Sequence, residues 1–273
     1  MSTSLFTYVC DVISQGYPFL EAIVNLLPLA DELVIVDCDS KDGTKEFLLS
    51  LNNPNIKIFH DKWVNGLGGR NHHKTGSMCH DVCTKDTIIF VEADEIWSES
   101  LVDSTKVELQ KHNNFRFWRY QITQNFQRVF WYPERDQLVN RIFPRGSEIM
   151  RGGKDIFIQD SNDAKSAIII SNDNGYIVDC RNCFRDNYLA RENFAKTVWA
   201  EEKRSTTRMA PAHAAYSWEM NQEQFQKELQ DERWLWKTTI FNIPEILKYH
   251  LGRTSYEMRP ELIERLKNWK LYA

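Results

Sequence analysis

The chain has 273 residues, 42% of them hydrophobic and 26% charged, so it is long enough to bury a full core and has no compositional sign of disorder. Its formal net charge of −4 argues against a nucleic-acid-binding protein, which would carry a basic excess. No signal-peptide pattern opens the sequence, and no apolar run approaches the ~18 residues of a membrane-spanning helix, so we expect a cytoplasmic protein. In that compartment the six cysteines are expected to be free thiols.

Predicted strands and helices alternate through the first hundred residues. Apolar runs rich in β-branched residues predict strands at residues 5–13, 32–37, 56–60 and 87–95. Apolar residues at helical spacing predict helices at residues 19–30, at 44–51 and, after a polar glycine-rich loop, up to about Cys83. This alternation is typical of a doubly wound sheet, so the sequence predicts an α/β fold with a mostly parallel central sheet flanked by helices.

The pattern changes after about residue 105. Two further strands are predicted at residues 114–122 and 138–143. Helical periodicity then appears in four segments, the last two entered through a proline: residues 186–203, 220–236, 243–251 and 259–269. We therefore expect one domain with two halves, at residues 1–105 and 106–185, followed by a helical C-terminal extension at 186–273.

The stretch ELVIVDCDSKDGT ends a predicted strand in a group of acidic and small residues. Ser40, Asp42 and Gly43 are the ordinary capping and turn residues that precede a helix. Asp37 is different, because it lies on the end of the strand itself. Its carboxylate is able to accept hydrogen bonds from the ring N–H of a base and from ribose hydroxyls, so this stretch predicts a contact with a nucleotide.

The stretch TIIFVEADEIW leaves another predicted strand in the same way. Glu92 and Asp94, with Ala93 between them, offer two carboxylates that suit Mg²⁺ or Mn²⁺, cations that prefer oxygen ligands. An acidic turn on the surface would need no ligand at all. Because ligands of doubly wound sheets bind beyond the carboxyl ends of the strands, we expect Asp37 and Asp94 to face one crevice.

These two stretches, with GRNHHKTG between them, resemble the nucleotide-sugar-binding half of family 2 glycosyltransferases of the GT-A fold. The resemblance covers roughly residues 5–100. It implies a hexosyltransferase-type enzyme that uses a UDP- or GDP-linked sugar, inverts the anomeric centre and is assisted by Mn²⁺ or Mg²⁺. Residues 106–185 would then face the acceptor, for which a saccharide or glycan is the default and a protein side chain or modified DNA is an alternative.

The resemblance also implies roles for individual residues. Asp37 would contact the base, and Asp94 would ligate the metal. Arg70 and Lys74 would lie near the diphosphate or the base, and Glu92 would face the ribose or the donor sugar. Together the nucleotide sugar would be bound by Ser14, Asp37, Asp39, Arg70, Lys74, Glu92 and Ala93.

Two positions depart from the family pattern. Where the first strand of the family usually ends in Asn and Glu, this chain has Ser14, Gln15 and Gly16. The first acidic residue of the metal motif is Glu92 instead of Asp. The extra methylene of Glu changes the reach of the carboxylate into the crevice, so this second departure bears on metal dependence.

An inverting transfer also needs a carboxylate that deprotonates the acceptor hydroxyl. Asp155, in RGGKDIF, follows a glycine pair after a predicted strand, roughly where related enzymes place this general base. Glu134 and Asp136 are rivals for the role. Asp155 would otherwise be an ordinary loop-capping residue.

Related enzymes often complete the metal site with a later His. In this chain the candidates are Asp179, Cys180 and His213, and none of the three is preferred. Arg181 and Arg185, in the same region, would lie over the donor or acceptor or pair with acidic helices.

Four cysteines have a spacing that would suit a thiolate zinc site, namely Cys79, Cys83, Cys180 and Cys183. The first pair lies on a predicted helix whose apolar face would bury small thiols. Free buried cysteines are therefore the expectation.

Two other functions stay open. A nucleotidyltransferase shares the sheet topology and the acidic metal site, but it usually carries a basic, glycine-rich phosphate loop after its first strand, where this chain has SQGYPF. A nucleotide-sugar-binding protein without transferase activity is compatible with Glu92 and with the lack of a later His in the family position.

Overall fold

The protein is represented by a computed structural model that describes residues 1–64, 69–123, 128–131, 138–147, 149–152, 155–158, 167–184, 186–187, 190, 235–236 and 243–271. Within this set the backbone alone is described at residues 69–70, 121–123, 128–131, 149–152, 155–158, 172, 181–182 and 235–236. No helix in the described part of the chain is both long enough and apolar enough to cross a bilayer.

Thirteen strands are present in these residues: β1 (Thr3–Val9), β2 (Glu32–Asp37), β3 (Ile56–His60), β4 (Thr87–Phe90), β5 (Glu95–Trp97), β6 (Phe115–Thr123), β7 (Arg128–Trp131), β8 (Leu138–Pro144), β9 (Ile149–Gly152), β10 (Asp155–Ile158), β11 (Ile168–Ile169), β12 (Ile177–Asn182) and β13 (Leu235–Trp236). The α-helices are α1 (Val12–Gln15), α2 (Phe19–Leu26), α3 (Thr44–Ser50), α4 (Gly69–Ser77), α5 (Cys79–Val82), α6 (Glu99–Glu108) and α7 (Pro260–Lys267). Three 3₁₀ helices cover Leu27–Leu29, Asn172–Asn174 and Glu245–His250.

The central sheet has a parallel half and a mixed half. Its order is β13-β7-β6-β8-β4-β1-β2-β3, and β1, β2, β3 and β4 are parallel to one another. Antiparallel β8 joins β4 to β6, and β12 connects β6 to β5. The predicted parallel, doubly wound arrangement is confirmed for the first hundred residues.

The sheet is covered on both faces, because alternate residues of its strands enter two separate hydrophobic clusters. Leu5 and Leu33 belong to the larger cluster, which also takes residues from α2, α3, α6 and the C-terminal segment. Phe6 and Val34 belong to the smaller one, which takes residues from α5. Strands buried on both faces read as continuous apolar runs, and this is why their sequences show little alternation.

Two of the predicted strands are shorter in the structure. The segment predicted at 87–95 ends as β4 at Phe90, turns, and restarts at Glu95 as β5, which pairs with β12. The segment predicted at 5–13 ends at Val9, because Asp11 has a left-handed backbone (φ 50°) and begins α1. Both breaks fall at acidic residues that interrupt the apolar runs, Asp11 in the first case and Glu92 and Asp94 in the second.

The C-terminal segment (residues 243–271) packs on α2 and is hydrogen-bonded to Asn53, which follows α3. Its two predicted helices are confirmed as the 3₁₀ helix and α7. His250 Nε2 lies 2.7 Å from Glu21 Oε1, and the Tyr256 hydroxyl donates to Glu21 Oε2 at 3.0 Å, with all three side chains buried. Asn53 Nδ2 donates to three carbonyl oxygens at the end of α7, those of Leu266, Lys267 and Trp269.

The rest of the predicted helical extension lies almost entirely outside the described residues. Residues 186–187 and 190 are described and helical, in agreement with the helix predicted at 186–203. Leu235–Trp236, predicted as the end of a helix at 220–236, is strand β13, so that part of the prediction is wrong. Pairing with Phe130 and Trp131 of β7 overrides the helical periodicity there. The division into residues 1–105, 106–185 and 186–273 stays a prediction.

Candidate active site

Three loops follow neighbouring parallel strands at the carboxyl edge of the sheet. They are the β1 loop (residues 10–16), the β2 loop (residues 38–43) and the acidic turn (residues 92–95), which follows β4. Because the strands are ordered β2, β1, β4, the β1 loop lies between the other two. The winding direction of the sheet changes between β1 and β4, and in open α/β sheets ligands bind at this switch point.

The register of the strands fixes where the two acidic loops lie. Val9 of β1 pairs with Asp37 of β2, and the Val91 N–H donates to the Phe6 carbonyl oxygen at 3.0 Å. Two strand spacings, roughly 10 Å, separate β2 from β4 across the sheet. Phe90 is level with Val34, so β4 ends three residues short of the end of β2 at Asp37. Asp37 and Asp94 lie at the same edge of the sheet, as the sequence analysis predicts, and their roles there stay predictions.

Asp37 is fully buried at the end of β2. The Ser40 N–H donates to its Oδ1 at 3.3 Å, and His60 Nδ1, at the end of β3, lies 3.4 Å from its Oδ2. Asp37 thus stabilises the β2 loop by accepting a hydrogen bond from its backbone, whereas the carboxylate of Asp39 is exposed. Of these two acids, Asp39 is the one that faces solvent.

Hydrogen bonds from backbone N–H groups to side-chain oxygens join the β1 loop to the β2 loop. Ser40 Oγ accepts from the Asp11 N–H at 3.0 Å, and Asp11 Oδ1 accepts from the Lys41 N–H at 2.6 Å. Asp42 Oδ2 accepts from the N–H of Ser14 at 2.7 Å. The two loops therefore form one frame, and the predicted binding residue Ser14 belongs to it through its main chain.

The frame has a negative potential. Burial raises the pKa of the Cys10 thiol, and the carboxylates of Asp11 and Asp37 raise it further. Burial also raises the pKa of Asp11, opposed by the Lys41 N–H and reinforced by Asp42. The Lys41 ammonium, 2.6 Å from Asp39, lowers the pKa of Asp39. A site of this character favours groups that donate hydrogen bonds or carry positive charge.

The acidic turn is closed by its own main chain. The Glu95 N–H donates to the Glu92 carbonyl oxygen at 3.0 Å, and the Asp94 carbonyl oxygen accepts from the Cys180 N–H of β12 at 2.7 Å. Ala93 packs against the larger core cluster, and Asp94 retains 7% of its surface exposed. The turn thus has a defined shape with Ala93 and Asp94 between two glutamates.

Two arginines that the sequence analysis missed hold the glutamates of the turn. Arg141 of β8 makes two hydrogen bonds to Glu95, at 2.6 and 2.7 Å, and its Nη2 lies 3.1 Å from Glu92 Oε1. Arg119 of β6 lies 3.0 Å from Glu95 and 3.7 Å from Glu92. Glu92, predicted to face the ribose or donor sugar, is therefore ion-paired here. The sequence signal for Arg141 was its position inside the apolar run LVNRIFP, because an arginine buried in a strand requires an acidic partner.

The predicted phosphate residues lie on α4, which packs against β1. Arg70 is in the first turn of this helix, and its side chain is outside the described set. Lys74 Nζ contacts the Asp61 carboxylate and lies 3.3 Å from the Lys62 carbonyl oxygen. The Lys74 side chain is half-exposed, so its ion pair with Asp61 is screened by solvent.

The predicted general base begins β10. Asp155 pairs through its backbone with Gly152 in a β9–β10 hairpin that contacts α4. Its side chain lies outside the described set, as do the rivals Glu134 and Asp136 and the later candidate Arg185. Arg181 is described only by its backbone, in β12.

The sequence model of the family described as Glycosyl transferase family 2 matches residues 17–161, more than half of the chain. The chain belongs to glycosyltransferase family 2. The family and the α/β GT-A fold expected from the three motifs are thereby confirmed, since the parallel half-sheet carries the motifs at its carboxyl edge.

Curated relatives match this family 2 glycosyltransferase over a segment of their length. An uncharacterised glycosyltransferase of Rickettsia typhi is 28% identical over 101 residues, which are 37% of this chain and 32% of the relative. One of Rickettsia bellii is 30% identical over 101 residues, 37% of this chain and 31% of the relative. The chain thus covers about a third of the length of these relatives.

Solved structures are similar at low identity. Staphylococcus aureus TarS has a TM-score of 0.43 and 15% identity, over 85% of this chain and 48% of that one. The mannosyltransferase PcManGT of Pyrobaculum calidifontis, solved with GDP-Man and Mn²⁺, has a TM-score of 0.33 and 14% identity, over 45% of this chain and 36% of that one.

The carboxylates at the acidic turn of the family 2 glycosyltransferase suit a divalent cation whose remaining ligands come from a bound phosphate and water. Among the described residues no group of three His, Cys, Asp or Glu side chains is placed to hold a metal. Mg²⁺-type sites at phosphates commonly use only one or two protein carboxylates and complete the shell with phosphate oxygens and water. Asp94, the predicted ligand, carries one such carboxylate at the acidic turn, and buried Asp179 of β12 pairs across the ladder with Glu95. His213 lies outside the described residues.

The cysteines do not form the alternative zinc site. Cys79 and Cys83 belong to the smaller core cluster, whereas Cys180 and Cys183 belong to the larger one. None of these four cysteines forms a disulfide, and all four are buried. Burial raises the pKa of Cys83 to about 12, so this thiol stays protonated at neutral pH.

Proposed function

We propose that this family 2 glycosyltransferase transfers a hexose from a UDP- or GDP-linked donor to an acceptor hydroxyl with inversion, assisted by Mn²⁺ or Mg²⁺. The observation that carries the proposal is the position of the β2 loop and the acidic turn, at one edge of the sheet on either side of the β1 loop. The base would lie at the β2 loop and the diphosphate at the acidic turn. A saccharide or glycan is the proposed acceptor.

The β2 loop and β1 loop supply the nucleoside side of the proposed site. Asp39 is exposed and able to accept from the base or ribose, whereas buried Asp37 holds the β2 loop in place from below. Ser14 borders the same frame through its hydrogen bond to Asp42. This arrangement supports Asp39, in place of Asp37, as the acid that contacts the base or ribose directly.

The acidic turn and α4 supply the diphosphate side. Asp94 would hold the divalent cation, whose positive charge stabilises the charge that develops on the departing diphosphate. Arg70 and Lys74 would add positive charge from α4, which begins beyond the carboxyl edge of the sheet. Glu92 and Ala93 would border the ribose or donor sugar.

The acceptor hydroxyl needs a base, and Asp155 is the proposed one. The β9–β10 hairpin that carries it packs against α4, the helix with Arg70 and Lys74. This contact supports a position next to the diphosphate side of the site. An Asp155→Asn variant that binds donor normally but transfers at least about 100-fold more slowly is the expected result.

A second candidate is a nucleotide-sugar-binding protein without transferase activity. The ion pairs of Glu92 with Arg119 and Arg141 favour it, because they occupy a carboxylate that the family motif directs to the donor. A nucleotidyltransferase is less well supported, since the β1 loop carries the carboxylate of Asp11 where a phosphate loop would be basic.

The test is a thermal-shift screen against UDP- and GDP-sugars, each with and without Mn²⁺, followed by assays of donor hydrolysis and of transfer to saccharides. Stabilisation by one donor class, enhanced by Mn²⁺ and followed by turnover, is the expected outcome. Binding without turnover on any acceptor supports the second candidate. No stabilisation by any nucleotide sugar contradicts both.

A further inference from the structure

Four charged side chains form a cluster at the acidic turn: Glu92 and Glu95 of the turn itself, Arg119 of β6 and Arg141 of β8. Arg141 and Glu95 have no exposed side-chain surface, and Arg119 and Glu92 retain only 10% and 17%. Two positive and two negative charges balance one another in this cluster. Although burial alone would lower the pKa of the Arg141 guanidinium, Glu95 and Glu92 raise it, so Arg141 is charged at every physiological pH.

Arg141 holds the turn at both of its ends. Its Nε and Nη2 bind the two carboxylate oxygens of Glu95, and the same Nη2 reaches Glu92 at 3.1 Å. Asp94 lies between these two glutamates in sequence, and its carbonyl oxygen is fixed by Cys180. The guanidinium carbon also lies 5.0 Å from the ring centroid of Phe90, which restricts the plane of the fork.

Stability alone does not explain this cluster. Burying four charges has a large desolvation cost, and replacement of buried ion pairs by apolar residues is often neutral or stabilising. What a bidentate Arg–carboxylate pair adds is geometry, because two parallel hydrogen bonds fix both distance and orientation. Glu92 fits this role, since its extra methylene relative to Asp extends its carboxylate to Arg141.

We propose that Arg141 is a positioning residue for the metal–diphosphate site. It fixes Glu95 and Glu92 on either side of Asp94, and thereby sets the direction in which the Asp94 carboxylate is presented at the carboxyl edge. Arg141 acts through the turn and does not touch substrate, since its side chain is fully buried. The inference rests on the proposed function, because it gives the acidic turn its role in binding a cation.

The test compares variants by calorimetric titration of UDP and of GDP, with and without Mn²⁺. The double variant Arg141→Met/Glu95→Leu removes both buried charges and should keep a urea midpoint at or above that of the wild type. Its Mn²⁺-dependent gain in nucleotide affinity should fall by about tenfold or more, while its metal-free affinity is unchanged. Arg141→Lys keeps the charge without the fork and should lose part of the same gain.

Glu32→Gln is the matched control. Glu32 is likewise buried and ion-paired, 3.3 Å from Lys57 Nζ, but it begins β2 at the opposite edge of the same sheet. This variant should lower stability without changing the Mn²⁺-dependent gain. A drop in that gain as large as the one in the Arg141 variants would overturn the positioning role and leave a merely structural one.

The outcomes separate this inference from the function on which it rests. Mn²⁺-dependent nucleotide binding in the wild type that persists unchanged in Arg141→Lys and in the double variant overturns the positioning role and leaves the proposed function standing. Absence of Mn²⁺-dependent binding of UDP and GDP to the wild type overturns both.

Discussion

The β2 loop and the acidic turn both carry acidic residues after a parallel strand but are stabilised by different groups. In the β2 loop the carboxylates accept hydrogen bonds from nearby backbone N–H groups, as Asp37 does from Ser40 and Asp42 does from Ser14. In the acidic turn the carboxylates of Glu92 and Glu95 are ion-paired with arginines of distant strands. The first arrangement satisfies the carboxylates with backbone N–H groups, whether buried as Asp37 is or partly exposed as Asp42 is, and the second requires a buried, charge-balanced support. Acidic residues at the ends of two strands of one sheet are therefore stabilised by different interactions.

The largest effect should come from breaking the support of the acidic turn. Glu95→Gln leaves the buried Arg141 without its bidentate carboxylate partner, and we expect a loss of about 3 kcal/mol in the free energy of unfolding. Urea denaturation at neutral pH measures it. A loss as small as that of the exposed control Asp39→Asn would show that the buried pair is not the main support of the turn.

The next effect concerns catalysis. Asp94→Asn keeps the size of the side chain and removes its charge, so kcat/KM for transfer should fall by at least about 100-fold, or ~2.7 kcal/mol of transition-state stabilisation. The urea midpoint should stay near that of the wild type, because Asn has the same size and keeps one oxygen acceptor. Wild-type activity in this variant would remove Asp94 from the metal site.

A smaller effect is expected in the β2 loop. Asp39→Asn replaces an exposed carboxylate that is proposed to accept from the base or ribose, so the affinity for the nucleotide should fall by about tenfold. Stability should be unchanged, because the ion pair with Lys41 is exposed. Calorimetric titration with the preferred nucleoside diphosphate measures the affinity, and Lys41→Met serves as the control for loss of that ion pair alone.

The smallest effect concerns pH. The pKa of Asp11 is raised above 3.8, mainly by burial, so its charged form destabilises the folded state at neutral pH. Asp11→Asn keeps an oxygen for the Lys41 N–H and should be at least as stable as the wild type at pH 7. Since the raised pKa means that the folded state binds the proton more tightly, this difference should shrink as the pH falls from the raised pKa towards 3.8. Urea midpoints at several pH values would reveal the opposite trend if the assignment is wrong.

The same contrast explains what the sequence could predict. At the β2 loop Ser40 hydrogen-bonds to Asp37 and Asp42 to Thr44, two or three positions away, so local patterns identify these turn and capping residues. The hydrogen bonds from this loop to the β1 loop span 28 to 30 positions and do not follow from local patterns. The fold of the first hundred residues follows likewise from local strand and helix patterns and from the order of three motifs.

The support of the acidic turn could not be predicted in this way. Arg119 and Arg141 are 24 and 46 positions from Glu95, and they reach it only because antiparallel β8 joins β4 to β6. Local periodicity does not specify which strands become neighbours. For the same reason the break between β4 and β5 was missed, since Glu95 starts a strand whose partner, β12, lies far along the chain.

The central claim is that the β2 loop and the acidic turn bind the two ends of one nucleoside diphosphate. The most direct measurement titrates the free nucleoside, and separately its diphosphate with Mn²⁺, into Asp39→Asn and Asp94→Asn. Asp39→Asn should weaken binding of both ligands by a similar factor, whereas Asp94→Asn should weaken binding of the diphosphate and leave the nucleoside unaffected. Wild-type affinity of either variant for the Mn²⁺–diphosphate would contradict the claim.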